Sequence, residues 1–166
     1  YGILNYPEFN YNYVRPGIAL YGLVSNKEDQ TVCTPKLKPV LSLKARISLI
    51  KEINAGESIG YGFSYTADKR MKIAVVTIGY ADGIPRSLAD ANTKLLVKGK
   101  FAKIVGRICM DQLEIDITHI QDVKSGDLVT IIGEENGNRT TAEEIAERCG
   151  TITNELMSRL GERLER

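Results

Sequence analysis

The sequence predicts a mainly β domain, barrel-like, that ends in one or two short C-terminal helices. Three observations predict it. Apolar stretches rich in β-branched residues follow one another between Val40 and Gly133. Glycine, asparagine and aspartate turn residues separate them at short intervals. Helical signal is confined to the residues after Thr140, and many strands followed by a late helix suit a barrel or sandwich.

The first segment, 1–23, differs in character. It is rich in Tyr and Asn and carries "VRPGIALYG". It reads as the last strand of a preceding domain, with "VSNKEDQT" as linker, so the β-domain spans 24–166. "VLSLKARISLIKEI" (Val40 to Ile53) mixes apolar alternation with the turn-like "NAGE" after it. "MKIAVVTIGYADG" is a β-branched run closed by Asp82-Gly83, a turn signal. "KLLVKGKFAKIVGRI" reads as a hairpin turning at Gly99, and "DQLEIDIT" alternates Leu113, Ile115 and Ile117 against polar residues. "GDLVTIIG" is a further strand closed by the turn "EENGN". In "TTAEEIAERCG", Thr140 or Thr141 with a glutamate three later forms a capping box, and Gly150 takes the C′ position. "NELMSRLGERLER" is helical in part, with Leu156 and Leu160 on one side and Gly161 interrupting.

A chain of 166 residues that is 43% hydrophobic suits one domain with a real core, or one domain plus a remnant of a neighbour. The formal net charge of +1 argues against electrostatic capture of nucleic acid or of an anionic membrane. No apolar run approaches a membrane span, and no basic-then-apolar start resembles a signal peptide. The chain therefore reads as cytoplasmic, without membrane contact of its own. It opens on Tyr1 rather than Met, as a fragment of something longer would. Cys33, Cys109 and Cys149 form no disulfide framework and no C-x-x-C pair. They read as buried thiols of a reducing compartment. A single His119 leaves no zinc set, so no metal is expected.

Four stretches depart from what a plain β-core needs. In "RPGIALYG", Arg15 before Pro16-Gly17 is either a surface arginine at a turn or the edge of a backbone anion site. In "GYGFSY", Tyr61 stands between two glycines at a strand end. Such glycines mark a bulge, or a place where a ligand or another backbone comes close. In "IGYADGIPR", Tyr80 ends a strand and Arg86 follows a tight turn. In "GRICMDQ", Arg107, Cys109, Met110, Asp111 and Gln112 follow a glycine. Each stretch alone has a structural reading. Together, three of them set Gly, Tyr and Arg at strand ends toward one rim, where β-domains concentrate function.

These stretches and the late "TITNEL" occur in the order and at the spacing of the alanine racemase family. The resemblance covers nearly the whole chain and is to the C-terminal β-domain, preceded by the last strand of an N-terminal pyridoxal-phosphate-binding (β/α)8 barrel. No stretch of the K-A-N-A-Y-G-H type, which carries the family's cofactor lysine, occurs here. The resemblance therefore implies a fragment that is inactive alone, from a pyridoxal-phosphate-dependent racemase acting on a small amino acid. It implies a homodimeric parent whose active site is shared between subunits. Tyr61 matches the tyrosine that serves as one of two catalytic bases, acting on the cofactor site of the other subunit. Arg15 matches the arginine facing the pyridine nitrogen, and Gly17 and Ile18 match groups that hold the cofactor phosphate. Tyr80 and Met110 match residues at the substrate carboxylate and pocket wall. Arg86, Arg107, Asp111 and Ile152 match the access corridor.

One departure stands out. The family's T-I-N-Y-E appears here as Thr151-Ile152-Thr153-Asn154-Glu155. Asn154 replaces a tyrosine that lines the substrate pocket and contacts the cofactor phosphate. A smaller side chain that both donates and accepts opens room for a hydroxymethyl group. The expectation is activity on serine alongside or above alanine. That resembles the serine racemases of vancomycin-resistance operons, which are fused to a membrane segment and make D-amino acids for peptidoglycan precursors. An ordinary alanine racemase domain and a non-catalytic β interaction module are the alternatives.

Overall fold

The computed structural model describes residues 1–26, 31–32 and 36–165. Part of the expected linker, residues 27–30, and Cys33 lie outside them. Nine strands form among the described residues: β1 Leu43–Ile53, β2 Ser58–Ile59, β3 Tyr65–Thr66, β4 Met71–Val76, β5 Lys94–Val97, β6 Lys100–Ile104, β7 Leu113–Asp116, β8 Leu128–Glu135 and β9 Asn138–Thr140. Three short helices accompany them, α1 Gly2–Asn5, α2 Ala142–Arg148 and α3 Thr153–Arg159. The fold is mainly β, as the sequence predicts. None of the helices among the described residues is long and apolar enough to cross a membrane.

The main sheet runs β1-β4-β7-β6-β5-β8-β9, and β8 also pairs with β1. Six strands thus close into an antiparallel ring, with β9 appended to β8. β1 makes the closure possible because it is long. Its first half, Leu43 to Arg46, pairs with β8, and its second half, from Ile47 to Ile53, pairs with β4. The register shifts between Ile47 and Leu49. Leu43, Ala45 and Ile47 are buried before the shift, whereas Leu49 beyond it is exposed. A bulge of one residue carries later side chains to the other face, so the alternation expected through Ile53 does not persist.

β4 explains the site. Its Ala74 and Val76 point into the ring core, with Leu113, Ile115 and Leu95. Met71 and Ile73 point the other way, into a second cluster with Ile53, Ile59, Ala67 and Val105. Both faces of this strand are covered, so its apolar residues run on without alternation. Burying a side chain such as Ile73 stabilises by about 1.5–3 kcal/mol, and this second cluster holds the β2–β3 hairpin against the ring.

The hairpin turns obey local chemistry. Asn136-Gly137 links β8 to β9 with both residues at positive φ, 50° and 80°, the geometry of a two-residue hairpin. The sequence showed this turn but not the three-residue strand after it. Lys98-Gly99 does the same between β5 and β6. α2 starts on Thr141, whose Oγ1 accepts the Glu144 N–H, while the Glu144 carboxylate receives the Thr141 N–H. Ile145 and Ala146 of α2 and Leu156 of α3 pack into the ring core. The Thr153 N–H and hydroxyl both donate to the Ser25 carbonyl, which ties α3 to the chain just after Leu23.

The first segment takes a different local form from the expected strand. Gly17–Tyr21 is a 3-10 helix. Pro16 sits at φ −68°, ψ −19°, and Gly17 at φ +57°; neither continues an extended chain. Leu23 then enters the core.

Candidate active site

Tyr61 stands at the turn of the β2–β3 hairpin. The two glycines beside it do different things. Gly60 has φ +78°, and a Cβ there would lie 2.9 Å from the Gly106 Cα. Two backbones meet at this point, so neither residue has room for a side chain. Gly62 has φ +68° with nothing within 4 Å of a Cβ position; only its turn conformation asks for glycine. The close approach expected beside Tyr61 is therefore to the chain's own loop after β6. That loop fastens the turn. Tyr61 N–H donates to the Arg107 carbonyl at 3.4 Å, and Arg107 N–H donates to Ser64 Oγ at 2.8 Å.

The hairpin's two tyrosines diverge. Tyr65 packs on the second cluster and its hydroxyl reaches Met71 Sδ at 3.3 Å. Burial, with the Asp68 and Asp116 carboxylates, pushes its phenol up from the usual value. Tyr61 is 63% exposed, its ring directed away from the core.

The rim continues through the loop after β6. Tyr80 N–H donates to the Cys109 carbonyl at 3.1 Å, and Ala81 N–H to the Met110 carbonyl at 3.0 Å. Tyr80 and Met110 are both exposed. Tyr80 and Arg86 line a cleft of about 420 Å³ with Arg159 of α3. Asp111 is exposed and bonds Arg163. Arg86, Arg107, Arg159 and Arg163 against Asp82 and Asp111 give the rim charge of both signs.

Cys109 and Cys149 are half-buried free thiols rather than fully buried ones. Burial pushes the Cys109 thiol up, the Glu114 carboxylate adds to it, and the Tyr61 N–H opposes. A thiol so placed stays protonated near neutral pH and is a poor nucleophile. Among the described residues, no group of three or more His, Cys, Asp or Glu side chains is arranged to hold a metal.

A second cleft of about 760 Å³ lies between the 3-10 turn and α3. Ile18, Tyr21, Leu41, Asn154, Met157 and Leu164 are among the residues that line it. Asn154 is exposed to it from the first turn of α3. Gly17 and Arg15 are exposed on the chain just before Ile18, and Ile152 is exposed two residues before Asn154. Ile18 and Asn154 set the backbone of a tight turn and a carboxamide on this cleft, donors suited to a phosphorylated ligand, while Arg15 does not line it. The expected residues thus fall into two groups. Tyr61, Arg107, Tyr80, Met110, Asp111 and Arg86 share the rim. Ile18 and Asn154 share the cleft. Tyr61 does not line that cleft.

Sequence reasoning missed Gly106, Ser64, Asp82 and Arg163. Gly106 was visible only as a glycine before Arg107, and Asp82 only as half of an Asp-Gly turn. Arg163 carried no local signal.

The sequence profile of the alanine racemase C-terminal domain matches residues 40–166. An amino-acid racemase of Enterococcus faecalis is 43% identical over 164 residues, which cover 99% of this chain and 23% of that protein. An alanine racemase of Clostridium perfringens is also 43% identical over 164 residues, 99% of this chain and 42% of that protein. Among solved structures, the Clostridium difficile 630 alanine racemase in complex with cycloserine superposes with a TM-score of 0.88 and 40% identity, over 99% of this chain and 42% of that one. The Bacillus anthracis alanine racemase with bound L-Ala-P gives 0.81 and 38%, over 89% of this chain and 37% of that one. The chain spans less than half the length of these relatives.

Proposed function

The chain belongs to the alanine racemase C-terminal domain family, and from that premise we propose that it completes the active site of a pyridoxal-phosphate-dependent racemase. The reaction is interconversion of the L and D forms of a small amino acid, alanine first. The observation that carries this reading is Tyr61. Its phenol is turned outward on a base pinned to Gly106 and Arg107, while Tyr65 four residues on is spent on the core. An exposed phenol on a fastened backbone is free to act on something outside its own chain.

Tyr61 holds a proton on Oη and exchanges it with the substrate Cα from one face; the base for the opposite face lies outside this chain. Positioned proton transfer of this kind contributes roughly 10²–10⁴-fold in rate. The cofactor, when bound, supplies the electron sink that makes the Cα proton labile. The Gly17 and Ile18 backbone and the Asn154 amide would hold its phosphate. Arg15, which only donates, would serve the ring nitrogen of that cofactor and favour its unprotonated form. Tyr80 and Met110 receive the substrate carboxylate end. Arg86, Arg107, Asp111 and Ile152 line the way in, and their mixed charge admits small zwitterions.

The separation of the two residue groups supports a homodimer. Each chain gives its Ile18–Asn154 cleft to one site and its Tyr61 rim to the partner's. Segment 1–23 is then the end of the barrel that carries the cofactor lysine, the domain works in the cytoplasm, and the fragment alone is inactive. The product D-amino acid serves cell-wall precursors. Alanine leads because the Clostridium relatives are named alanine racemases. Serine is the second reading, and Asn154, open to a roomy cleft, is the observation that favours it. A membrane-anchored parent goes with that reading.

The test is Tyr61→Phe in the full-length parent. Racemisation should fall by roughly 10²–10⁴-fold with the circular dichroism spectrum and dimer unchanged. Undiminished racemisation would exclude Tyr61 as a base.

A further inference from the structure

We propose that Arg163 is a positioning residue that locks together the two loops presenting Tyr80 and Met110, and so sets the affinity for the substrate carboxylate. The inference rests on the reading of Tyr80 and Met110 given above. Both loops are already in contact. A Cβ on Gly79 would strike the Met110 carbonyl oxygen at 2.3 Å, so the Tyr80 turn lies directly on the Met110 backbone. What fixes their relative angle is a chain of charged groups. Asp82 is turned inward, its side chain 10% exposed. Its Oδ2 accepts the Gly79 N–H at 2.8 Å, and its Oδ1 meets Arg163 Nε at 3.3 Å. Arg163 Nη2 donates to Asp111 Oδ1 at 2.5 Å.

One guanidinium therefore spans one carboxylate from each loop. Arginine suits this task because its planar fork carries several donors and stays charged at any relevant pH. The Asp111 bond and the Asp82 charge in turn push the Arg163 guanidinium further up. Arg163 lies beyond α3, and α3 itself ends against the same turn: a Cβ on Gly83 would meet the Arg159 carbonyl oxygen at 2.4 Å. The C-terminal tail thus clamps the rim from behind. Without Arg163, the inward Asp82 loses its counter-charge and turns toward solvent, which frees the Gly79 N–H. The Tyr80 turn then loosens against Met110. Tyr61 is fastened at the start of the same loop, to Arg107, four residues before Asp111, and there the Arg107 N–H is held by Ser64 rather than by Arg163, so its proton chemistry is spared.

The experiment uses the full-length, cofactor-loaded enzyme with Arg163→Met and Arg163→Lys. In the Met variant KM for alanine should rise about tenfold, the scale of a lost hydrogen bond to a charged group, with kcat nearly unchanged. Lysine keeps the charge but serves one carboxylate at a time, so its KM should be intermediate. Hydrogen exchange gives a readout independent of turnover. The amides of Gly79, Tyr80 and Ala81 should exchange faster in the Met variant, those of β4 and β7 at the wild-type rate. An unchanged KM, a loss expressed in kcat alone, or faster exchange spread evenly through β4 and β7 would overturn the proposal. A wild-type parent that racemises nothing would instead sink the functional reading, and the exchange pattern would still decide the clamp.

Discussion

Gly60→Ala should damage the protein well beyond Gly62→Ala, although the two glycines flank the same tyrosine. Both sit at positive φ, +78° and +68°, and an L-residue there costs about 1–2 kcal/mol. That cost is common to the two variants. At residue 60 the new methyl also meets the Gly106 Cα at 2.9 Å, Ser64 Oγ at 2.9 Å and the Arg107 nitrogen at 3.1 Å. The Gly106 contact is backbone and cannot swing aside. Forcing it apart costs about 1–3 kcal/mol. Displacing Ser64 Oγ forfeits its bond from the Arg107 N–H, about another 0.5–1.5 kcal/mol. The expected losses are about 2.5–6.5 kcal/mol for Gly60→Ala and about 1–2 kcal/mol for Gly62→Ala. Urea denaturation of the full-length protein at one concentration, followed by circular dichroism, measures both. Since φ strain is shared, the difference isolates the backbone crossing. Equal losses would refute the claim that the two hairpins touch at Gly60 and Gly106.

Two further outcomes follow from the same geometry. Asn154→Tyr should shift the ratio of kcat/KM for L-serine over L-alanine toward alanine, and an unchanged ratio would end the serine reading. The half-buried thiols give a pH prediction. Burial raises Cys109 and Cys149 above the ordinary thiol range, with Ser87 and Arg159 opposing at Cys149. The unfolded chain therefore loses these protons first as pH rises. Their contribution to stability is complete below the ordinary thiol value and disappears as pH climbs through the raised ones. Iodoacetamide should label both more slowly than a free thiol at pH 8, read by peptide mass spectrometry; labelling at the free rate would contradict the burial.

The ring was legible wherever one face of a strand meets water. Leu113, Ile115 and Ile117 declared β7 by alternation, and Asp82-Gly83 and Lys98-Gly99 declared turns. β4 declared itself as a strand but hid its second buried face, because a continuous apolar run says nothing about what covers it. β1 hid its bulge, since Leu49 fits the alternating pattern that the register shift breaks. At the rim, Tyr61 was legible because paired glycines are costly and need a reason. The reason itself, Gly106, lies on a distant loop. The Asp82–Arg163–Asp111 bridge was invisible for the same cause: each member looks like a solvated charge until the fold brings the tail against the turn.

The seam between β1 and β8 bears on how the chain reaches this state. Ser42 and Ile132, bonded there, are 90 positions apart, while β5–β6 and β8–β9 are local hairpins that need no distant partner. A pairing so remote must wait for a large loop to close, and such topologies assemble in roughly milliseconds to seconds. Until it zips, the edges of β1 and β8 stand bare, and it is in that interval that newly made chains run the greatest hazard of sticking to one another.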